Sequence, residues 1–162
     1  MVAIKVFKEY SGSYMPLVRN EMRTYQYLNQ TPNNHILATY ESGEGVLTKP
    51  NGKQRNVFYI VIEFARRSLL DYILLTGRFD ERMARFYFKQ LIAGLEYGHG
   101  MNVVHRDIKL ENLMLNMQFD LKIADFDLAK YFSGTGQEQL MTFVGTPGFM
   151  APEIYLNKPD PA

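Results

Sequence analysis

The period of the hydrophobic pattern changes along this chain, and the change restricts the folds that the chain can adopt. Residues 2–8 alternate apolar and polar side chains, which predicts a strand. Residues 15–29 place apolar side chains at helical spacing, and two more strands are predicted at 36–40 and 57–64. The apolar stripe of the predicted helix consists of Val18, Met22, Tyr25 and Leu28.

Beyond residue 64 the pattern is mostly helical. A short helix at 69–75 precedes a long one, which is predicted to begin after the N-cap Asp80 and to close at Gly98 and Gly100. A small hairpin follows at 113–124. Strands with one helix, followed by mostly helix, indicate an α+β fold with two unequal lobes. The apolar face of the long helix is predicted to contain Ala84, Tyr87, Leu91 and Leu95.

Composition excludes several classes of protein. The 18 Lys and Arg residues nearly balance the 17 Asp and Glu residues, so no strong field favours nucleic acid or an anionic membrane. Because the chain has no cysteine, disulfides and cysteine-based zinc sites are excluded. The longest apolar stretch, 57–62, is far below the ~20 residues of a spanning helix. We therefore expect a cytoplasmic protein with no nucleic-acid or membrane partner.

A polar loop between the predicted strands has some features of a phosphate-binding P-loop. Gly52 precedes Lys53, but the P-loop spacing requires glycine where Leu47 stands and Ser or Thr where Gln54 stands. The pair formed by Asn51 and Gly52 is typical of a hairpin turn. We therefore interpret this loop as a hairpin connection.

The loop at 105–112 contains three side chains that suit phosphoryl transfer to an alcohol. Asp107 can accept the proton of the alcohol and orient its oxygen. Lys109 can neutralise charge on the transferring group, and Asn112 can supply an oxygen ligand to Mg²⁺. The loop is therefore a candidate catalytic centre.

Asp125 is a second candidate for metal binding. It follows the predicted hairpin at 113–124, which can bring its own ends together, so that Asn112 and Asp125 would flank one metal ion. Mg²⁺ commonly takes one or two protein oxygens and completes its octahedron with phosphates and waters. The alternative is that Asp107 and Asp125 only cap local turns, which is a common role of loop aspartates.

Four short motifs, in order and at compatible spacing, resemble those of the eukaryotic protein kinase family. They are Val-Ala-Ile-Lys at 2–5, His-Arg-Asp at 105–107, Asp-Phe at 125–126 and Ala-Pro-Glu at 151–153. The resemblance covers nearly the whole chain. It implies ATP-dependent phosphorylation of Ser and Thr in protein substrates, with Mg²⁺ as cofactor.

The family resemblance also implies a bilobal protein-kinase-like fold that is truncated at both ends. It implies part of a small β-rich N-lobe at 1–62, a hinge at 63–67 and part of a mostly helical C-lobe at 68–162. The family's glycine-rich loop would precede residue 1, and the helices that support the catalytic loop would follow the last residue. We therefore expect these 162 residues alone to bind nucleotide weakly and to transfer phosphate poorly.

An ATP site is implied by the same resemblance. Lys5 is similar to the lysine that binds the α- and β-phosphates, and Glu21 to its ion-pair partner on the following helix. An exposed helix charge is the alternative for Glu21. Asp125 would join the site through the metal. The resemblance assigns the adenine pocket to Ala3, Ile62, Glu63, Ala65 and Met114.

Other residues resemble those that select and hold the protein substrate. Lys109 is similar to the lysine of kinases that act on Ser and Thr rather than Tyr. Glu111 resembles the acidic residue that meets an arginine upstream of the target hydroxyl, which implies substrates with basic residues there. Thr146 lies in the peptide-positioning run 145–153, and Leu110 with that run is most similar to the calcium/calmodulin-dependent-kinase-like group.

Thr142 stands where the family often has its activating phosphate. Arg106 and Lys130 match the positions that would bind this phosphate, which adds roughly −1.5 to −2 charge. The hypothesis is that phosphorylation of Thr142 orders the activation segment. The alternative is an ordinary surface threonine.

Asp127 is a departure from the family pattern, because it stands where the family's Asp-Phe-Gly motif has glycine. Glycine permits backbone angles that other residues resist. Asp127 therefore brings into question the mobility of the segment more than its chemistry. It also leaves open a second interpretation, a catalytically inactive kinase-like module that binds or regulates.

Overall fold

A three-stranded antiparallel sheet and one helix form the first part of the molecule. The structure, a computed structural model, describes residues 1–7, 15–132 and 143–156. The strand order is β1-β3-β2, and each strand runs antiparallel to its neighbour. The elements are β1 (Val2–Phe7), α1 (Met15–Leu28), β2 (Thr39–Thr48) and β3 (Gln54–Glu63).

The two faces of β1 differ in burial. Val2 and Ile4 are 51% and 61% exposed, whereas Phe7 is buried and Lys5 is half-buried. Because side chains alternate across a strand, Lys5 shares the inner face with Phe7. The lysine therefore points toward α1 rather than into solvent, and its ammonium lies 5.2 Å from the Phe7 ring centre.

The strand predicted at 36–40 is wrong in its bounds. The structure places β2 at Thr39–Thr48, while Ile36 makes only a single parallel bridge to Ile123. The polar loop is therefore mostly strand, because β2 lies at the sheet edge and can expose its polar side chains. The predicted hairpin is confirmed: Gly52 has φ 78° in the turn between β2 and β3.

The second part contains two helices, short hairpins and a terminal helical turn. A sheet of order β4-β6-β7 and a two-stranded sheet of β5 and β8 connect its loops. The α+β prediction is confirmed. The elements are β4 (Arg67–Ser68), α2 (Leu69–Thr76), α3 (Glu81–Gly100), β5 (Val103–Val104), a 3-10 turn (Leu110–Asn112), β6 (Leu113–Leu115), β7 (Leu121–Ile123), β8 (Lys130–Tyr131) and α4 (Pro152–Leu156).

Side-chain caps define where helices α2 and α3 begin. Ser68 and Asp71 form a capping box at α2, in which each side chain binds the other residue's backbone N–H. At α3 the predicted N-cap Asp80 accepts a hydrogen bond from the Met83 N–H at 2.7 Å. Ala84, which the sequence places on the apolar face of α3, is exposed, and Tyr87 is the buried residue in the first two turns of the helix.

One hydrophobic core joins both parts of the molecule, since the buried apolar residues form a single cluster. Gly94 lets α3 approach this core closely, because a Cβ there would lie 2.8 Å from Ile123 Cδ1. Within the residues that the structure describes, no helix is both long and apolar enough to cross a bilayer. The cluster includes Phe7, Val18, Tyr25, Leu28, Ile60, Leu69, Leu113, Leu115, Leu121, Ile123 and Phe126.

Candidate active site

Lys5 joins three elements at the junction of the two parts. Its ammonium donates to both carboxylate oxygens of Glu21 on α1, at 2.7 and 2.8 Å. It also donates to Asp125 Oδ1, which follows β7, at 2.8 Å. The predicted pairing of Lys5 with Glu21 is therefore present in the structure, and the candidate metal ligand Asp125 lies against the same cation.

Burial and charge have opposite effects on this ion-pair network. Glu21 is only 1% exposed. Burial raises the pKa of Glu21 to about 7, although Lys5 opposes that change. Burial alone would lower the pKa of Lys5, but the charges of Glu21 and Asp125 outweigh it and raise that pKa. The ammonium therefore remains charged and can attract phosphate.

Asp107 has both of its carboxylate oxygens in contact with donors. Oδ1 accepts from the Thr146 hydroxyl at 2.6 Å, and Oδ2 lies 2.7 Å from the Lys109 ammonium. The same ammonium donates to Thr146 Oγ1 at 2.7 Å. This triangle fixes the carboxylate, which is buried at the base of the loop.

The triangle also sets the acidity of Asp107. Burial alone would raise the pKa of its carboxyl group, but the hydrogen bonds from Lys109 and Thr146 outweigh burial and lower the pKa. The carboxylate is therefore ionised and is a weak base. An ionised carboxylate accepts hydrogen bonds only, so it can orient a hydroxyl group that donates to it.

Asn112 and Asp125 lie at the open end of one hairpin. Strand β6 pairs with β7 from Leu113 opposite Ile123, and the Ala124 N–H donates to the Asn112 carbonyl at 2.9 Å. The hairpin predicted at 113–124 is therefore confirmed, and it brings the two residues together.

The free oxygens at this open end suit a magnesium ion. The Asn112 amide nitrogen donates to the Asp107 carbonyl at 2.9 Å. Within the described residues no donor contacts Asn112 Oδ1 or Asp125 Oδ2. An amide oxygen and a carboxylate oxygen are hard donors of the kind that Mg²⁺ prefers.

Two backbone positions in the site have left-handed angles. Arg106 has φ 67° and Asp125 has φ 66°, and aspartate tolerates this region better than most residues. Gly145, at φ 123°, lies against the catalytic loop, where a Cβ would be 2.7 Å from the Arg106 carbonyl oxygen. Glycine at 145 therefore allows Thr146 to reach Asp107.

The residues assigned to adenine line the edge of the first sheet and the hairpin. Ala3 on β1 pairs directly with Ile62 on β3. Ile62, Ala65 and Met114 are partly buried against the core. The Glu63 side chain turns away toward β7, where its carboxylate lies 3.0 Å from the Lys122 ammonium, and this leaves only its backbone for a ligand. The Glu63 N–H already donates to the Ala38 carbonyl.

The structure also describes three of the residues that the sequence predicts to contact the protein substrate or an activating phosphate. Glu111 is exposed on the 3-10 turn. Arg106 Nε donates to the Leu128 carbonyl at 2.8 Å, and Lys130 pairs with Val104 across the small sheet of β5 and β8. Thr142 lies outside the described residues.

Three further residues contact the site, and the sequence pattern assigns none of them a functional role there. The Tyr25 hydroxyl accepts from the Asp125 N–H at 3.0 Å. His105 contacts the Ala124 carbonyl through Nε2, and Asn20 donates to two carbonyls that follow Asp125. A buried tyrosine, a histidine beside an aspartate and an asparagine on a helix are common in cores, so pattern alone does not distinguish them.

Comparison with known proteins identifies relatives over almost the entire length. The family described as "Protein kinase domain" matches residues 1–160. The chain is 36% identical over 157 residues to "Carbon catabolite-derepressing protein kinase" of Candida tropicalis, covering 97% of this chain and 24% of that protein. It is 35% identical over 159 residues to "SNF1-related protein kinase catalytic subunit alpha KIN12" of Arabidopsis thaliana, covering 98% and 30%.

A mouse relative gives the same result. The chain is 33% identical over 160 residues to "Serine/threonine-protein kinase SIK1" of Mus musculus, covering 97% of this chain and 19% of that protein. The chain thus spans between 19% and 30% of the length of these three relatives. With the family match over residues 1–160, the chain belongs to the eukaryotic protein kinase family.

Proposed function

We propose that this protein transfers the terminal phosphoryl group of ATP to Ser and Thr hydroxyls of protein substrates. The observation that carries the proposal is the Asp107 carboxylate, which has Thr146 on one oxygen and Lys109 on the other. A fixed carboxylate can accept the proton of an alcohol, and a neighbouring cation can balance the negative charge of the phosphoryl group that the alcohol attacks. Membership of the protein kinase family supports the same reaction.

In this proposal, Asp107 and Lys109 act on the reacting groups. Asp107 holds the attacking hydroxyl by a hydrogen bond and receives its proton, while Lys109 balances negative charge on the transferring group. Thr146 keeps the carboxylate and the ammonium in register through its hydroxyl. All three groups are in contact with one another, so little reorganisation is needed.

Asn112 and Asp125 would hold the magnesium ion, and Lys5 would bind the phosphates. Magnesium supplies charge neutralisation across the phosphates when it is bound. Glu21 orients the Lys5 ammonium through two hydrogen bonds. The Lys5 contact to Asp125 sets the phosphate-binding cation beside the metal-binding carboxylate.

We propose that adenine binds at a hinge, residues 63–67, between an N-lobe part at 1–62 and a C-lobe part at 68–162. The carbonyl of Glu63 and the N–H of Ala65 would pair with the base. Apolar surface would enclose the ring between the first sheet and the hairpin. The side chains assigned to this enclosure are Ala3, Ile62 and Met114.

The proposed substrates are proteins with Ser or Thr targets, and Glu111 favours basic residues upstream. The support for this preference is the exposed position of Glu111 next to the catalytic loop, where it can meet a positive charge. Phosphorylation of Thr142, read by Arg106 and Lys130, is the proposed activating step. We also propose an intracellular, cytoplasmic location, with which the lack of cysteine is compatible.

A second candidate function is a kinase-like module that binds nucleotide without turnover. Asp127 favours it, because it replaces the family's glycine and faces the negative charge of Asp125 in a half-buried position. Burial and that charge raise the pKa of Asp127. The contacts of Lys5 with Glu21 and of Asn112 with Asp107 favour the enzyme.

The test compares the protein with its Asp107→Asn variant. Asparagine keeps the shape of the side chain but cannot accept the hydroxyl proton, so we expect transfer to fall by about 100-fold or more. The measurement is the transfer of labelled phosphate from Mg·ATP to a Ser/Thr peptide with upstream arginines. Nucleotide binding, followed with a fluorescent ATP analogue, should remain within about threefold.

The matched control is Asp120→Asn, the same chemical change in the hairpin turn away from the site, where the carboxylate lies 3.4 Å from the Asn116 amide nitrogen. It should leave both quantities unchanged. Equal transfer by the protein and Asp107→Asn would contradict the proposed role. Mg·ATP binding with no transfer by the unaltered protein would favour the binding module instead.

A further inference from the structure

The Asn20 side chain joins helix α1 to the chain that follows Asp125. Its amide nitrogen donates to the Asp127 carbonyl at 2.9 Å and to the Ala129 carbonyl at 2.8 Å. Both N–H groups of this partly buried amide are therefore used by one short stretch of backbone. The donor and acceptors are 107 and 109 positions apart in the sequence.

Helix α1 makes other contacts with the same stretch of backbone. We call residues 125–131 the post-hairpin segment. Besides the Tyr25 contact to the Asp125 N–H, the Tyr25 and Phe126 rings pack edge to face with centres 5.3 Å apart. At the far end, the Tyr131 hydroxyl donates to the Arg23 carbonyl at 3.3 Å. One helix therefore contacts the post-hairpin segment at its start, middle and end.

The attachment through Asn20 reaches the backbone at Asp127. Asp127 is not among the described residues with positive φ, so this conformation does not require glycine. Its carboxylate Oδ1 accepts from the Leu128 N–H at 2.7 Å, while its carbonyl accepts from Asn20. The residue is thus fixed through its side chain and its main chain at once.

We propose that Asn20 is a positioning residue that clamps the post-hairpin segment to α1 and so sets Asp125 at its distance from Lys5. Glu21, which orients Lys5, is the next residue on the same helix. A single rigid unit therefore carries the ion-pair partner of Lys5 and holds the backbone next to Asp125. The inference rests on the proposed function for its effect on nucleotide, but the clamp itself does not.

The variant that tests the clamp is Asn20→Asp. Aspartate has the same shape, but its oxygens would face two carbonyl oxygens and donate to neither. We expect backbone hydrogen exchange in residues 126–132 to rise by roughly tenfold or more, because two hydrogen bonds are lost. Asn20→Ala removes both donors without adding charge and should give the same direction.

The matched control is Gln26→Glu. Gln26 lies on the same helix and makes one exposed hydrogen bond, from its amide nitrogen to Ser42 Oγ at 3.0 Å. The change adds the same charge to α1 but does not touch the post-hairpin segment. Exchange in residues 126–132 should therefore remain at the level of the unaltered protein.

A second measurement separates positioning from general stability. The affinity of a fluorescent ATP analogue is measured with and without Mg²⁺, and the gain in affinity due to Mg²⁺ is compared between variants. We expect this gain to shrink by about tenfold in Asn20→Ala, with metal-free affinity nearly unchanged, because Asp125 is the group displaced. Circular dichroism confirms that each variant is folded.

The outcomes are distinguishable. If Asn20→Ala is folded and its exchange and magnesium gain equal those of the unaltered protein, the proposal is wrong. If Asn20→Asp fails to fold, Asn20→Ala decides alone. If the unaltered protein binds no Mg·ATP while exchange rises in both Asn20 variants, the clamp is supported and the proposed function fails.

Discussion

The two hydrogen-bond partners of the His105 ring define a single protonation state for it. Its Nε2 lies 2.9 Å from the Ala124 carbonyl, and its Nδ1 accepts from the Asp107 N–H at 3.2 Å. One nitrogen must therefore donate and the other accept, which defines the neutral ring with its proton on Nε2. Burial lowers the pKa of His105 from its usual 6.5. A second proton would remove the acceptor that orients the Asp107 backbone.

This neutral state predicts how stability depends on pH. The folded ring has a pKa below 6.5, so between that pKa and 6.5 the unfolded chain binds a proton that the folded chain does not, and stability falls as pH decreases through this window. We expect His105 to contribute up to ~1.4 kcal/mol per pH unit to that slope. Urea unfolding between about pH 5 and 7.5 should show a smaller slope in His105→Asn than in the unaltered protein.

A second histidine provides the control for that slope. His99 is exposed near the end of α3, and His99→Asn makes the same chemical change at the surface. Carboxylates titrate in all three proteins, so the difference between slopes isolates the imidazole. A slope in His105→Asn equal to that of the unaltered protein would show that the buried ring takes up a proton in the folded state.

The proximity of some predicted site residues follows from the sequence, whereas most of their individual contacts do not. Asp107, Lys109 and Asn112 lie within one short loop, so their proximity follows from spacing. The contact of Lys5 with Asp125 depends on how two distant elements pack, and no local pattern encodes it. The hydrogen bond from the Thr146 hydroxyl to Asp107 depends on the close approach of residue 145 to Arg106. This approach is a tertiary contact that the local sequence does not encode.

Two of the glycines in helix α3, Gly94 and Gly98, differ in what surrounds them. A Cβ at Gly94 would lie 2.8 Å from Ile123 Cδ1 and 3.1 Å from the His35 carbonyl, whereas one at Gly98 would meet only the Val103 carbonyl at 3.5 Å. Both lie inside the helix, where alanine is intrinsically favoured by about 1 kcal/mol. Their surroundings therefore determine the sign of an alanine substitution.

We predict opposite effects for the two alanine variants. Gly94→Ala should lower the free energy of unfolding by roughly 1–2 kcal/mol, because overpacking against β7 exceeds the gain in helix propensity. Gly98→Ala should raise it by up to about 1 kcal/mol, since ordinary contact leaves that gain intact. Urea unfolding followed by circular dichroism measures both. A gain in stability from Gly94→Ala would mean that α3 moves away from β7 easily.

Helices were predicted more accurately than strands, and β2 shows why. Stripes of apolar residues predict α1 and α3, and the N-cap Asp80 defines where α3 begins. Strand β2 lies at a sheet edge with polar side chains such as Glu41 and Glu44, so it has no clear hydrophobic alternation. Its pairing with β3 holds it in the sheet, and pairing is a tertiary property.

The outer surface of the second part contains a large apolar area. Phe88 and Ile92 are 61% and 47% exposed and lie one turn apart on α3. Phe88 borders an apolar groove of about 270 Å³ whose wall includes Leu69, Ile73 and Leu91. Exposed apolar surface joined to a groove favours association between molecules.

We predict that the protein associates as its concentration rises and that the double variant Phe88→Gln, Ile92→Gln reduces this association by about tenfold. The apparent molecular mass from sedimentation velocity, measured over a range of concentrations, checks it. The control is Val2→Gln, Ile4→Gln, which removes exposed apolar side chains from β1 far from the groove. Equal effects of the two double variants would contradict a role for the groove.

The Lys5–Asp125 contact also connects ligand binding to the folding of the whole chain. The two residues are 120 positions apart, so they meet only when both parts of the molecule are in place. A ligand that requires both residues therefore binds only the folded chain, and at 100 times its Kd it stabilises that state by about 2.7 kcal/mol. The concentration of such a ligand then determines what fraction of the protein stays folded on heating, on dilution or in the presence of a protease.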